Sequence, residues 1–280
     1  MLRRARVKLS LRLVFTQIHV QFVACESLVF PSGRTGDLLR GGFGKALKSL
    51  GFSPYEMLFR RRHETGGAPA GMSDPPRPFV FRIAGLDGSA FNPGDRFEVP
   101  LHLFDSSAQA EQWCRLALST LFGPRAAMTG ASVSKHELTL AAHPGRITRA
   151  RVDFLTPTEL KERGGVAATP EFRVLFTRAR DRIGALAALY GDGPLSASFT
   201  ELSGRAATVR LARAELARMK VVRRSSSTRQ VHSIGGFTGW AAYEGDLDEF
   251  LPWLRAAEWT GVGRHTAWGN GQIQVATPSY

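Results

Sequence analysis

The chain opens on an alternating pattern. Val7, Leu9, Leu11, Leu13 and Phe15 are separated by Lys8, Ser10, Arg12, Val14 and Thr16, which predicts a strand over about residues 6–24. After Pro31-Ser32-Gly33 the period changes: Leu38, Leu39, Phe43, Ala46, Leu47 and Leu50 recur at helical spacing. Gly41, Gly42 and Gly44 interrupt that helix, each costing up to about 1 kcal/mol against alanine. Glycines kept at such a cost point to close approach by another backbone or by a ligand. Residues 51–78, rich in Gly and Pro, read as an irregular loop. Strands are expected at Phe79–Ile83 and Phe97–Phe104. A helix follows, capped near Asp105 or Ser106 and burying Ala108, Trp113, Leu116, Ala117 and Leu121, and then a strand at Lys135–Ala141.

Pro144-Gly145 marks a boundary between 1–145 and 146–280. Beyond it the pattern predicts a strand at Thr148–Leu155 and a helix over Pro170–Tyr190 that buries Phe172, Leu175, Phe176, Ala179, Ile183, Leu186 and Leu189. A second helix is expected at Ala206–Met219, then strands at Val221-Val222 and Phe237–Tyr243, a short helix at Asp246–Arg255 and a last strand. Each half thus resembles the βαββαβ, ferredoxin-like order. The fold class is α+β, with two such domains in tandem.

The chain has 280 residues and 43% hydrophobic composition, ample for a core, so it is not disordered. Its formal net charge is +13, and the basic residues recur along the whole length, which points to a broad track for an anionic partner, above all nucleic acid. Cys25 and Cys114 stand far apart, making neither a CxxC pair nor a disulfide framework, as expected in a reducing cytoplasm. No apolar run reaches membrane-spanning length, so the expectation is a soluble protein without a membrane role.

Candidate chemistry concentrates near the end of the chain. From Thr260 to Gly271 two G-x-G units, Gly261/Gly263 and Gly269/Gly271, bracket Arg264, His265 and Trp268. Glycine permits positive φ, and such a loop can turn its N–H groups toward a phosphate with Arg264 beside them as a charged clamp. The alternative is a tight turn with no ligand. Dinucleotide, P-loop, metal-ligand and nucleophile-elbow patterns all fail on spacing.

Several segments resemble, in order, the CRISPR repeat-RNA-processing endoribonucleases of the RAMP superfamily. Leu39-Arg40-Gly41-Gly42-Phe43-Gly44-Lys45-Ala46-Leu47 is similar to that family's "LRGAFG-AL" helix, and Pro75-Pro76-Arg77-Pro78-Phe79-Val80 to its "PPRPFV" strand entry. Phe154-Leu155-Thr156-Pro157-Thr158-Glu159-Leu160-Lys161 is similar to "F-TPT-LK". Gly235-Gly236-Phe237-Thr238-Gly239, Tyr243-Glu244-Gly245-Asp246-Leu247 and the glycine loop match the C-terminal signature.

The resemblance implies metal-independent cleavage within the repeats of a precursor RNA. In that family a ribose 2′-OH attacks the adjacent phosphate, leaving a 2′,3′-cyclic phosphate and a 5′-OH. This needs a base, an acid and positive charge on the phosphorane, and no cofactor. Family members often place a histidine in or near the first helix; here that helix carries Lys45 and Lys48 instead, and the cysteine cluster of some members is missing.

Of seven histidines, His19, His102, His136 and His143 read as structural or solvated, and His63 as an RNA-contacting or solvated loop residue, with catalysis as its lesser alternative. His265 and His232 remain as acid or base, with Lys45 and Arg229 balancing phosphate charge. Arg34, Arg40, Lys48, Arg223, Arg224, Arg229, Arg264 and the four loop glycines are expected RNA contacts. Trp268 could stack on a base or pack behind the turn. The expected partners are CRISPR repeat RNA and other effector-complex subunits. The alternative is a non-catalytic RAMP subunit that binds guide RNA in such a complex.

Overall fold

A computed structural model describes residues 11–60, 75–141, 145–195, 199–224 and 231–278. In the first half, strand β1 (Leu13–Ala24) leads to helix α1 (Thr35–Leu50), strands β2 (Phe79–Phe81) and β3 (Arg96–Leu103), helix α2 (Ala108–Ser119) and strand β4 (Ala126–Leu138). The sheet order is β2-β3-β1-β4 with antiparallel neighbours. The second half repeats this topology: β5 (Arg149–Thr158), α3 (Phe172–Tyr190), β6 (Arg210–Arg224), β7 (Val231–Glu244), α4 (Leu251–Thr260) and β8 (Ile273–Ala276), in the order β6-β7-β5-β8. Two ferredoxin-like units in tandem are therefore present.

Alternation assigns the faces. Ile18, Val20 and Phe22 of β1, with Phe97, Val99 and Leu101 of β3, pack under Leu39, Phe43 and Leu47 of α1 and Cys114 and Leu118 of α2. Phe15 points the other way and joins a second apolar cluster with Phe176, Ile183 and Trp253 from α3 and α4, which extends to Val152, Phe154 and Val275 of the second sheet. The C-terminal helices therefore lie between the two sheets. Burying one such aromatic stabilises by about 1.5–3 kcal/mol, and this shared cluster fastens the halves to each other. Among the described residues no helix is long and apolar enough to cross a membrane.

Several local expectations need correction. Residues 52–60, read as loop, form a helical turn (Phe52–Tyr55) running into a π-helical turn (Glu56–Arg60). The cap of α2 is Ser107, whose hydroxyl accepts from Ala110 N at 3.3 Å, and the helix is turned so that Ala110, Cys114, Ala117 and Leu118 are buried while Leu116 is exposed. The strand expected at Lys135–Ala141 is the end of the much longer β4. The helix expected at Ala206–Met219 is instead strand β6, preceded by a short helix at Phe199–Ala206. The string Ala-Glu-Leu-Ala-Arg-Met-Lys favours helix locally, but it pairs with β7 from Arg210↔Glu244 to Arg224↔Val231. Gly239 of β7, at φ 114°, permits the close approach of Glu215. The expected strands at Val221-Val222 and Phe237–Tyr243 fall within this hairpin, and the last short helix lies further on, at Leu251–Thr260.

Candidate RNA-processing site

The glycine loop docks on the first helix. Ahead of α1, the Asp87 carboxylate accepts from Gly33 N at 2.8 and 2.9 Å, which fixes the turn that starts the helix. At Gly36, in the first turn, a Cβ would collide with the carbonyl of Trp268, so only glycine admits the loop there. Further along α1 the Arg40 guanidinium lies 5.1 Å from the Trp268 ring centroid and 5.0 Å from that of Phe59. His265 also neighbours this ring, the two centroids 4.7 Å apart and the planes tilted by 38°. It adopts the left-handed conformation (φ 59°, ψ 26°) at the start of a 3-10 turn, Thr266–Trp268, and its Nε2 is out of solvent. Arg40, Trp268 and His265 thus form one cluster joining the two halves of the protein.

The "TPT" segment supports the loop from below. Thr156 Oγ1 donates to Gly269 O at 2.8 Å and accepts from Gln272 N at 2.9 Å. Pro157 O accepts from Gly271 N, and Glu159 O from Arg264 N, both at 3.0 Å. Glu159 is buried, and its carboxylate receives Arg264 Nη1 at 2.6 Å. Beneath the start of the loop, buried Arg182 donates to Thr260 O at 2.6 Å, and burial lowers its pKa to about 9.

These contacts revise the expected phosphate cradle. Gly261, Gly263, Gly269 and Gly271 all have positive φ, as glycine allows. Their roles are close packing: Gly263 against Glu159, Gly269 against Ile83 and Gly271 against Val262. The N–H groups of Val262, Arg264, Trp268, Gly269 and Gly271 are committed to protein carbonyls. Arg264 is likewise tied to Glu159 rather than standing beside an open cradle.

The remaining candidates separate. Arg34, Lys45 and Lys48 are exposed along α1. Lys45 lies five residues beyond Arg40, about 7.5 Å along the helix axis, so it is not part of the His265 cluster. Lys48 Nζ lies 4.6 Å over the Tyr55 ring, and Arg60 Cζ 5.7 Å from it. Arg223, Arg224 and His232 have backbones in the β6–β7 hairpin, where Arg223 pairs with His232; Arg229, His63 and His143 lie outside the described residues. Trp268 is half-buried against Arg40 and His265, closer to the packing reading than to an open stacking platform.

Sequence reasoning did not foresee Tyr55, Thr156 and Glu159 as parts of this site. An aromatic residue between two basic runs was the available signal for Tyr55. For Thr156 and Glu159, the resemblance marked the segment without revealing its partner.

Comparison with known proteins places this geometry. Residues 152–273 match the model of the CRISPR-associated endoribonuclease Cas6 family, and residues 11–140 match a second model described as an N-terminal domain. No curated protein matches the chain. The product complex of a Thermus thermophilus Cas6 superposes with TM-score 0.60 at 17% identity, covering 94% of this chain and 100% of that one. A chain of a partial Cas6-RT-Cas1–Cas2 complex gives TM-score 0.61 at 11% identity, covering 95% of this chain and 46% of that one. A RAMP protein binding different RNA substrates gives 0.50 at 13%, covering 93% and 99%. Residues 152–273 are thus a match to the CRISPR-associated endoribonuclease Cas6 domain, and the chain as a whole shares the double ferredoxin-like fold of the Cas6 structures.

Proposed function

We propose that the protein cuts CRISPR precursor RNA within its repeats, without a metal, by attack of a ribose 2′-OH on the adjacent phosphate. The products are a 2′,3′-cyclic phosphate and a 5′-OH, and the protein retains its product. Supporting this reading is the docking of the glycine loop on α1, which sets His265 beside Trp268 and Arg40 at the junction of the halves. His265 serves as general acid or base, with His232 as the second candidate. On the exposed side of α1, Lys45 stabilises the charge that builds on the phosphorane, and Arg34 and Lys48 contact the RNA. Arg40 holds the loop in place, and Arg223, Arg224 and Arg229 extend the track along the β6–β7 hairpin.

The halves 1–145 and 146–280 act as two domains that hold the repeat between them, in the cytoplasm, where other CRISPR subunits are available as partners. The Cas6-RT-Cas1–Cas2 relative supports such assembly.

The test is incubation of the protein with repeat RNA in EDTA, beside copies with a single 2′-deoxy nucleotide at each position. One cut, indifferent to EDTA and abolished at one deoxy position, is expected, with the cut RNA co-eluting with the protein on gel filtration. Tight, repeat-selective binding without a cut would instead make the chain a non-catalytic RAMP subunit that binds guide RNA.

A further inference from the structure

Helix α1 carries four glycines, and three have a packing reason. A Cβ at Gly36 would meet Trp268 O, one at Gly42 would lie 3.0 Å from Leu121, and one at Gly44 would lie 3.2 Å from Phe59. Gly41 differs: it is exposed, and among the described residues no atom beyond the helix's own backbone comes within 4 Å of the place its Cβ would occupy. Alanine there would fit without strain and favour the helix. No contact among the described residues accounts for the glycine.

Its neighbours along the helix do. Arg34, Leu38, Gly41, Lys45 and Lys48 are spaced by four, three, four and three residues, which places them on one stripe of the helix. All five are exposed, Leu38 at 48%. Three carry positive charge and none is acidic; the adjacent carboxylate, Asp37, is half-buried. The stripe rises about 21 Å from Arg34 to Lys48. Arg40, next to Gly41, contacts Trp268, and Tyr55 lies under Lys48 at the far end. Without a side chain at its middle, the stripe dips between Leu38 and Lys45 to the helix backbone itself.

Resting on the RNA-processing reading, we infer that one strand of RNA crosses α1 over Gly41. Its sugar–phosphate backbone lies in the dip, and its phosphates reach Arg34 on one side and Lys45 and Lys48 on the other. Gly41 is a positioning residue: it lets the polyanion approach closely enough for short charge-assisted contacts.

The test sets stability against binding. Gly41→Ala and Gly41→Leu are compared with the wild type for thermal midpoint, repeat-RNA affinity and cleavage. Gly204→Ala is the control, since Gly204 is also exposed in a helix, with no described atom outside the helix backbone within 4 Å of its Cβ position. Gly41→Ala is expected to raise the midpoint while weakening RNA binding several-fold, and Gly41→Leu to weaken it further. Gly204→Ala should leave binding unchanged. Wild-type binding and cleavage with Gly41→Leu as tight as wild type would overturn the inference and leave the processing reading standing. A wild type that neither binds nor cuts repeat RNA would overturn both.

Discussion

Gly36 and Trp268, 232 positions apart by their numbers, are in backbone contact: the first turn of α1 rests on the carbonyl of the glycine loop's tryptophan, with no room for a Cβ. This joint fixes where His265 stands relative to the basic face of the helix.

Gly36→Ala is therefore expected to push the loop off the helix. Overpacking of this kind costs about 1–3 kcal/mol, and the thermal midpoint should fall by several degrees. A displacement near 1 Å at the site should lower cleavage roughly 10²-fold. Thermal unfolding and single-turnover cleavage check both effects.

His265 combines an unusual backbone with a candidate chemical role. Asparagine tolerates the left-handed conformation but cannot exchange protons near neutral pH. His265→Asn should keep the fold and bind repeat RNA within a few-fold of wild type, while cleavage falls roughly 10²–10⁴-fold. Unchanged cleavage would move the acid–base role away from His265, with His232 tested next.

Arg264 and Glu159 form a pair in which only the carboxylate is buried. Arg264→Ala leaves that carboxylate without its partner and should cost about 1–3 kcal/mol. Combining it with Glu159→Gln should return most of the loss, whereas RNA affinity should stay reduced if Arg264 also contacts RNA. Denaturant unfolding of the two single variants and the double variant measures the coupling.

His102 predicts a pH effect on stability. Its Nδ1 faces Trp259 O at 3.0 Å, an acceptor only, so the neutral ring donates from Nδ1. Burial first, then the nearby Arg82 charge, lowers its pKa from 6.5 to about 3. Between about pH 6.5 and 3 the unfolded chain binds a proton that the folded chain refuses, so stability falls as pH falls through this window and levels off below it. The loss is on the order of 3–5 kcal/mol. His102→Gln should flatten this part of the profile, as urea midpoints measured across the window would show.

Much of this molecule is legible in one dimension. Period-two and period-3.6 patterns locate β1, α1, β3, α3 and the tandem βαββαβ order, because each such element has one face to bury and its sequence must repeat accordingly. The ordered motifs point to the family on the same local footing. Where local preference and partner disagree, the sequence misleads: the Ala-Glu-Leu-Ala-Arg-Met-Lys string reads as helix, yet its hydrogen bonds go to β7. The rotated face of α2 and the length of β4 also depend on neighbours distant in sequence. At the site, the residue types and positive-φ glycines of the loop can be read directly, since they are properties of single positions. Only the tertiary structure decides that those glycines pack against Glu159, Ile83 and Val262, that Arg264 is held by a buried carboxylate, and that Arg40, Trp268 and His265 meet. Glu159 with Gly263 and Arg264, Ile83 with Gly269, and Arg40 with Trp268 are each more than a hundred positions apart, and no local pattern encodes which long-range partner will satisfy a given backbone donor or charge.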